Sequence, residues 1–212
     1  MIHYLHGLFD LPSCWDYFRD EGIDSVAHNL YELDEEKMKQ LVLKPEDILV
    51  GYSLGGRVAL KLAELNNYQV KKIILISSHL GLSADEKNQR ILWEEDIIQK
   101  LSQMKRHDFF SFWNKLSIFD PSSSYIPGDN ASYAKSADLF KRHRLSQQKN
   151  YITDLLKMPE KIRYIFGYRD LKYSDLGWRL AQMGFKTQGI SACHRVLLSQ
   201  EELKKILKKE TA

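Results

Sequence analysis

The stretch Gly51-Tyr52-Ser53-Leu54-Gly55 limits what this chain can fold into more than any other. It follows the apolar run Ile48-Leu49-Val50, which reads as a buried strand. It precedes Arg57-Val58-Ala59-Leu60-Lys61-Leu62-Ala63, which reads as a helix. A serine with a glycine two positions away on each side, at a strand-to-helix junction, is the G-x-S-x-G nucleophile elbow. The turn is so sharp that the flanking positions must be small, or they collide with strand and helix. The helix start behind the serine offers backbone N–H groups and a positive dipole end to a developing anion. The five-residue pattern alone recurs by chance in roughly one chain in ten, with Gly near ~7% of residues. Its strand, its helix and the third glycine at Gly56 make it specific.

A strand feeding a helix in this way implies a parallel sheet, and the rest of the chain agrees. Short apolar runs predict strands at 2–5, 25–28, 48–50, 73–77, 162–166 and 186–190. Helical patterns fall at 14–21, 35–43, 54–65, 176–183 and 200–208. The rhythm breaks between residue 79 and about 159, where helical patterns surround one Ser/Pro/Gly-rich loop at 120–129. Phe109, Phe110, Phe112, Trp113, Leu116 and Phe119 form an aromatic stripe there with roughly helical period. The stripe reads as a small local core, and the segment as a helical cap, 79–157, inserted into a core of 1–78 and 158–212. Such a cap would cover the C-terminal edge of the sheet, where open α/β sheets bind ligands.

Bulk properties narrow the class. With 212 residues, 43% hydrophobic and 28% charged, the chain suits one soluble domain. No run approaches the ~20 apolar residues of a membrane span, so no membrane partner is expected. The start, Met1-Ile2-His3-Tyr4-Leu5, lacks the basic flank of a signal peptide. Two cysteines, Cys14 and Cys193, are too few for a disulfide framework and fit the cytoplasm. A net charge of +3 suits an anionic small molecule and gives no reason to expect nucleic acid. The lysines at 204–205 and 208–209 alternate with Leu203, Ile206 and Leu207, the pattern of an amphipathic terminal helix. A monomer or weak dimer is expected.

A serine hydroxyl becomes reactive when a histidine takes its proton and a carboxylate orients that histidine. In elbow-type enzymes the chain order is Ser, acid, His. Asp170 follows the strand at 162–166, and His194 follows the strand at 186–190, so both can meet Ser53 at one sheet edge. Asp175 is the weaker acid, because it falls inside the next helix. Among the other histidines, His3 reads as packing and His28 as a crevice residue out of order. His79 reads as a pocket-lining residue, and His107 and His143 as solvated. Leu54 N–H, directly after the serine, is one expected oxyanion donor. Leu8 N–H, in the His6-Gly7-Leu8-Phe9 loop after the first strand, is the other. Cys193 reads as packing.

These residues resemble those of α/β-hydrolase-fold proteins, and more narrowly the 2-succinyl-6-hydroxy-2,4-cyclohexadiene-1-carboxylate synthases of menaquinone biosynthesis. The matching pieces are Leu5-His6-Gly7, Gly51 through Ala59, Ser78-His79-Leu80-Gly81-Leu82, Glu86 through Arg90, Arg144, and Gly167 through Tyr173. The resemblance implies an α/β-hydrolase core with a helical cap, without the two strands that often open this fold. It implies a cofactor-free elimination of pyruvate, with Ser53 as base and Asp170 and His194 as its activators. It implies Arg57, Arg90 and Arg144 as carboxylate partners, with Tyr52 and Trp113 lining the pocket. Leu80 stands where the family usually has Pro, and Cys193 where it has Gly. His28-Asn29-Leu30-Tyr31-Glu32 replaces an Asp-x-x-Gly-His-Gly stretch. An ester or thioester hydrolase with the same triad is the alternative, since fold and triad suit both.

Overall fold

The computed structural model describes residues 1–19, 22–120 and 125–211. Six strands form one sheet: β1 (Ile2–Leu5), β2 (Ser25–His28), β3 (Ile48–Tyr52), β4 (Lys72–Ile76), β5 (Ile162–Gly167) and β6 (Lys186–Ile190). Every neighbouring pair is parallel, in the order β2-β1-β3-β4-β5-β6. The inner strands are mostly apolar because both faces of the sheet are covered, with His3, Lys72 and Arg163 the charged or titratable exceptions near their starts. Leu49, Ile73 and Leu75 point into one core; Ile48, Val50, Ile74 and Ile76 point into the other.

The first core is closed by α1 (Glu35–Gln40), α2 (Leu54–Leu65) and α7 (Leu171–Gln182), through Met38, Val58, Leu62, Leu176 and Leu180. The second is closed by a 3-10 turn, Pro12–Phe18, and by α8 (Gln200–Thr211), through Trp15, Phe18, Leu203 and Leu207. Between β4 and β5 the chain forms α3 (Ala84–Gln103), α4 (Arg106–Trp113), α5 (Asn130–Arg142) and the single turn α6 (Ile152–Leu155). These carry a third, largely aromatic cluster of Phe109, Phe110, Trp113, Phe119 and Phe140. Phe9, from the loop after β1, enters that cluster and packs its ring on Phe109, Phe110 and Trp113 at 5.5, 5.0 and 5.3 Å. The loop holding Leu8 is thus gripped by the inserted helices.

Several boundaries differ from the sequence expectation. The helix expected at 14–21 is a 3-10 turn with Pro12 in its first turn, and positions 20 and 21 lie outside the described residues. Residues 121–124 of the expected loop also lie outside them. Helix α1 stops at Gln40, and α7 begins five residues before the predicted start, at Leu171. Its N-cap is Asp170, whose side chain accepts the Tyr173 N–H. No helix among the described residues is long and apolar enough to cross a membrane.

The strand order reverses between β1 and β3, since β2 lies on one side of β1 and β3 on the other. At such a switch point the loops leaving the two strands part and open a crevice. The Gly7–Phe9 loop and Ser53 sit there.

Candidate active site

Ser53 is held in a conformation that an L-residue seldom adopts, with φ 52° and ψ −113°. Its N–H donates to Ile76 O at 2.8 Å, and its carbonyl accepts from Ser78 Oγ at 2.8 Å. The flanking glycines are what let the chain turn this sharply. A Cβ on Gly55 would lie 2.1 Å from Leu5 O, and one on Gly51 would lie 2.5 Å from Gly55 O. Both clashes are with backbone, which cannot step aside.

The structure brings Ser53, His194 and Asp170 into one hydrogen-bonded line. Ser53 Oγ lies 3.0 Å from His194 Nε2, and His194 Nδ1 lies 2.6 Å from Asp170 Oδ2. Asp170 is fully buried and His194 nearly so. The imidazole is boxed by Tyr173, Phe119 and Tyr52, with ring centroids at 4.8, 5.6 and 5.7 Å. Its backbone is fixed too, by His194 N–H donating to Ile118 O at 3.0 Å and by Tyr52 OH donating to His194 O at 3.1 Å.

Two cavities open on Ser53 and His194. The larger, about 310 Å³, has Leu8 and Leu54 at its base and Trp93, Trp113 and Phe140 on its walls. It also carries three cations: Arg57, Arg90 and Lys172. Arg57 Nη1 donates to His143 O at 2.5 Å; burial lowers its pKa to about 10, and Arg90 adds to the fall. Arg90 lies 4.0 Å above the Trp93 ring and donates to Glu94 at 2.9 Å. Glu94 is fully buried, and it also accepts the Leu145 N–H at 2.8 Å. Although desolvation opposes this, hydrogen bonds from Ser146 and Arg90 keep its pKa below the ordinary value. The smaller cavity, about 50 Å³, is bounded by Asp10, Tyr52, Phe119, Tyr125 and Arg195. Burial raises the Asp10 carboxyl to about 7, with Arg195 opposing.

Arg144 does not line either Ser53 cavity. It pairs with Glu95 at 2.5 Å and faces a neighbouring groove of about 560 Å³, whose wall it shares with Arg57 and His143. That corrects the expectation that three arginines meet over the serine. Tyr52 faces the smaller cavity and Trp113 faces both. Lys172, Tyr173, Asp10 and Arg195 were not singled out as site residues. The Gly-x-x-Asp-x-Lys-Tyr spacing could have flagged Lys172 and Tyr173, since they stand two and three positions after Asp170, which bonds His194.

Four further histidines, His3, His6, His28 and His79, have structural partners. His6 Nδ1 lies 2.8 Å from Gly7 O and its Nε2 accepts the Leu30 N–H at 3.0 Å. Burial lowers its pKa to about 4, so the neutral ring pins the loop after β1 to the chain beyond β2. His28 does not face the crevice; its Nε2 lies 3.0 Å from His3 Nδ1, and His3 Nε2 lies 3.3 Å from Asp47. His79 is buried, accepts the Gly81 N–H at 3.1 Å and lines neither Ser53 cavity. His143 is half-buried rather than solvated. Asp175 pairs with Arg179 on the surface of α7.

A parallel sheet with a strained serine after β3, an acid after β5 and a histidine after β6 defines an α/β-hydrolase fold. Solved structures share it: MenH from S. aureus matches with a TM-score of 0.75 at 19% identity, over 99% of this chain and 93% of that one. A hydrolase from Pseudomonas aeruginosa matches with 0.63 at 11%, over 98% and 88%. A malate-bound thermophilic esterase from Thermogutta terrifontis matches with 0.62 at 13%, over 98% and 88%. In sequence, the chain is similar to a Haemophilus influenzae protein provisionally named 2-succinyl-6-hydroxy-2,4-cyclohexadiene-1-carboxylate synthase. The two are 25% identical over 217 residues, covering 82% of this chain and 83% of that protein. No protein-family model matches the chain.

Proposed function

We propose that this chain is a lyase-type synthase that eliminates pyruvate from a succinyl-enolpyruvyl-hydroxycyclohexene-carboxylate in menaquinone biosynthesis. Ser53 Oγ takes the ring proton while passing its own to His194 Nε2, and Asp170 holds the imidazole in the accepting tautomer. The electron pair left on the ring expels the enolpyruvyl oxygen as pyruvate enolate, the proton held on His194 is returned to neutralise it, and pyruvate leaves without addition of water. The Leu8 and Leu54 N–H groups carry the charge that develops on the substrate carbonyl. Arg57 and Arg90 hold carboxylates, Tyr52 and Trp113 shape the walls, and residues 79–157 act as the cap.

The observation that carries this reading is the pairing of the Ser53–His194 hydrogen bond with cations in one cavity. A neutral ester gives such a cavity no use for the buried guanidinium of Arg57, whereas a polycarboxylate does. The similarity to the Haemophilus influenzae protein points the same way. The second reading, a carboxylic-ester or thioester hydrolase, draws on the hydrolase and esterase neighbours that share the fold. Supplying the cyclohexene precursor and following pyruvate, beside p-nitrophenyl butyrate hydrolysis, separates the two. Pyruvate release should dominate; rapid ester turnover with no pyruvate would sink the synthase reading.

A further inference from the structure

The sequence points to Arg144 as the third cation of the pocket, and the structure puts it elsewhere, tied to Glu95 beside the outer groove. The Ser53 cavity nevertheless has a third cation, Lys172. Its surroundings differ from those of the two arginines. Arg90 has a buried carboxylate, Glu94, at 2.9 Å. Arg57 has the His143 carbonyl. Lys172 has its ammonium 5.8 Å from the Tyr173 ring and forms no ion pair among the described residues.

The charge balance of the wall follows. Three cations line one cavity whose wall holds no carboxylate among the described residues; Glu94 stands behind Arg90, and Asp170 and Glu86 act on Lys172 from outside the wall. Like charges gathered at a site are unfavourable unless something answers them, and such gatherings mark functional sites. Lys172 feels this: burial lowers its pKa first, and the charges of Arg90 and Arg57 lower it further against the opposing pull of Asp170 and Glu86. Core packing does not account for its place on the cavity wall, because Lys172 is exposed overall. Lys172 also directly precedes Tyr173, whose ring lies against His194 at 4.8 Å. Lys172 and His194 line the same cavity, so a ligand held by the ammonium there shares that space with the imidazole.

We infer that Lys172 is a specificity-determining residue, the cation that receives one carboxylate of a polycarboxylate ligand while Arg57 and Arg90 hold the others. This rests on the anionic-substrate part of the proposed function and deepens it. In place of three arginines, the ligand meets two fixed forks and one mobile ammonium. A mobile ammonium suits a carboxylate on a flexible arm, since it can follow the arm without a rigid bidentate geometry.

The test is calorimetric titration with benzoate, benzene-1,2-dicarboxylate and benzene-1,2,4-tricarboxylate, for wild type, Lys172→Met, Lys172→Arg and Arg144→Met. A hydrogen bond to a charged group is worth about 1.5–3 kcal/mol, so one lost contact weakens binding by at least about tenfold. Wild-type affinity should climb along the series. Lys172→Met should lose roughly that factor for the tricarboxylate and little for benzoate, with an unchanged melting temperature, and Lys172→Arg should restore most of it. Equal effects on all three probes, no effect on any, or a larger loss in Arg144→Met would overturn the inference. The titrations need no turnover, so a protein that binds in this order but releases no pyruvate would sink the reaction assignment and leave Lys172 standing.

Discussion

Asp170 uses its two oxygens for two separate purposes: Oδ1 caps α7 through the Tyr173 N–H, and Oδ2 accepts the hydrogen bond of His194 Nδ1. The first fixes the carboxylate, and the second then fixes the histidine tautomer. Asp170→Asn tests this division. The amide oxygen can still cap the helix, but an N–H₂ group facing Nδ1 forces the ring proton onto Nε2, where it can no longer accept from Ser53. The expected result is a fall in kcat of about 10⁴ with a melting temperature within a few degrees of wild type. A large loss of stability with a modest loss of rate would mean that the cap matters more than the tautomer. His194→Ala should lose activity by several orders of magnitude. Adding Ser53→Ala should cost little more, because the two side chains act as one unit. Single-turnover rates of the single and double variants check that non-additivity.

At the scale of elements, Glu94 ties α3 to the segment after α5. It holds Arg90 on its own helix and accepts the Leu145 N–H from across the cap. Glu94→Gln keeps an acceptor for Leu145 but leaves Arg90 without its counter-charge. Removing one partner of a buried pair typically costs about 3–5 kcal/mol. The variant should melt markedly lower and show a raised KM for the polycarboxylate, with the KM for p-nitrophenyl butyrate unchanged. The same scale explains what could be read beforehand. Inner strands declare themselves because burial on both faces gives them continuous apolar runs, as in Ile48–Val50 and Ile73–Ile76. The elbow declares itself because backbone clashes forbid anything but glycine at 51 and 55. The start of α7 was hidden, because Asp170 reads as a catalytic acid and its capping role leaves no apolar signal. Arg144 and Lys172 were hard to tell apart for a related reason: a long cationic side chain reads the same whether it meets a glutamate or a cavity.

Across the whole molecule, five of the seven histidines, His3, His6, His28, His79 and His143, have lowered pKa values, with burial the first cause in each. Above the model-peptide value of about 6.5, both folded and unfolded chains carry these rings neutral, so they add no pH dependence. As pH falls below that value, the unfolded chain takes up protons that the folded one refuses, and stability declines. The decline continues until the folded rings titrate, near 4 for His6, His28 and His79. Asp10 works the other way, since burial raises its pKa to about 7 and the folded state then holds the extra proton. Five rings outweigh one carboxyl. Urea unfolding should therefore give a clearly lower stability at pH 5 than at pH 7.5; equal values would mean that these histidines charge without unfolding the chain.

The proposed reaction depends on Ser53 doing chemistry in the larger, cation-lined cavity. The most direct test is the steady-state rate of pyruvate release from the enolpyruvyl-cyclohexene substrate by wild type and Ser53→Ala at equal concentration. The account predicts a fall in kcat of three or more orders of magnitude, on the scale of a lost triad member. KM should stay within a few-fold, because Arg57, Arg90 and Lys172 still bind the carboxylates. A Ser53→Ala protein that releases pyruvate at near wild-type rate would contradict it.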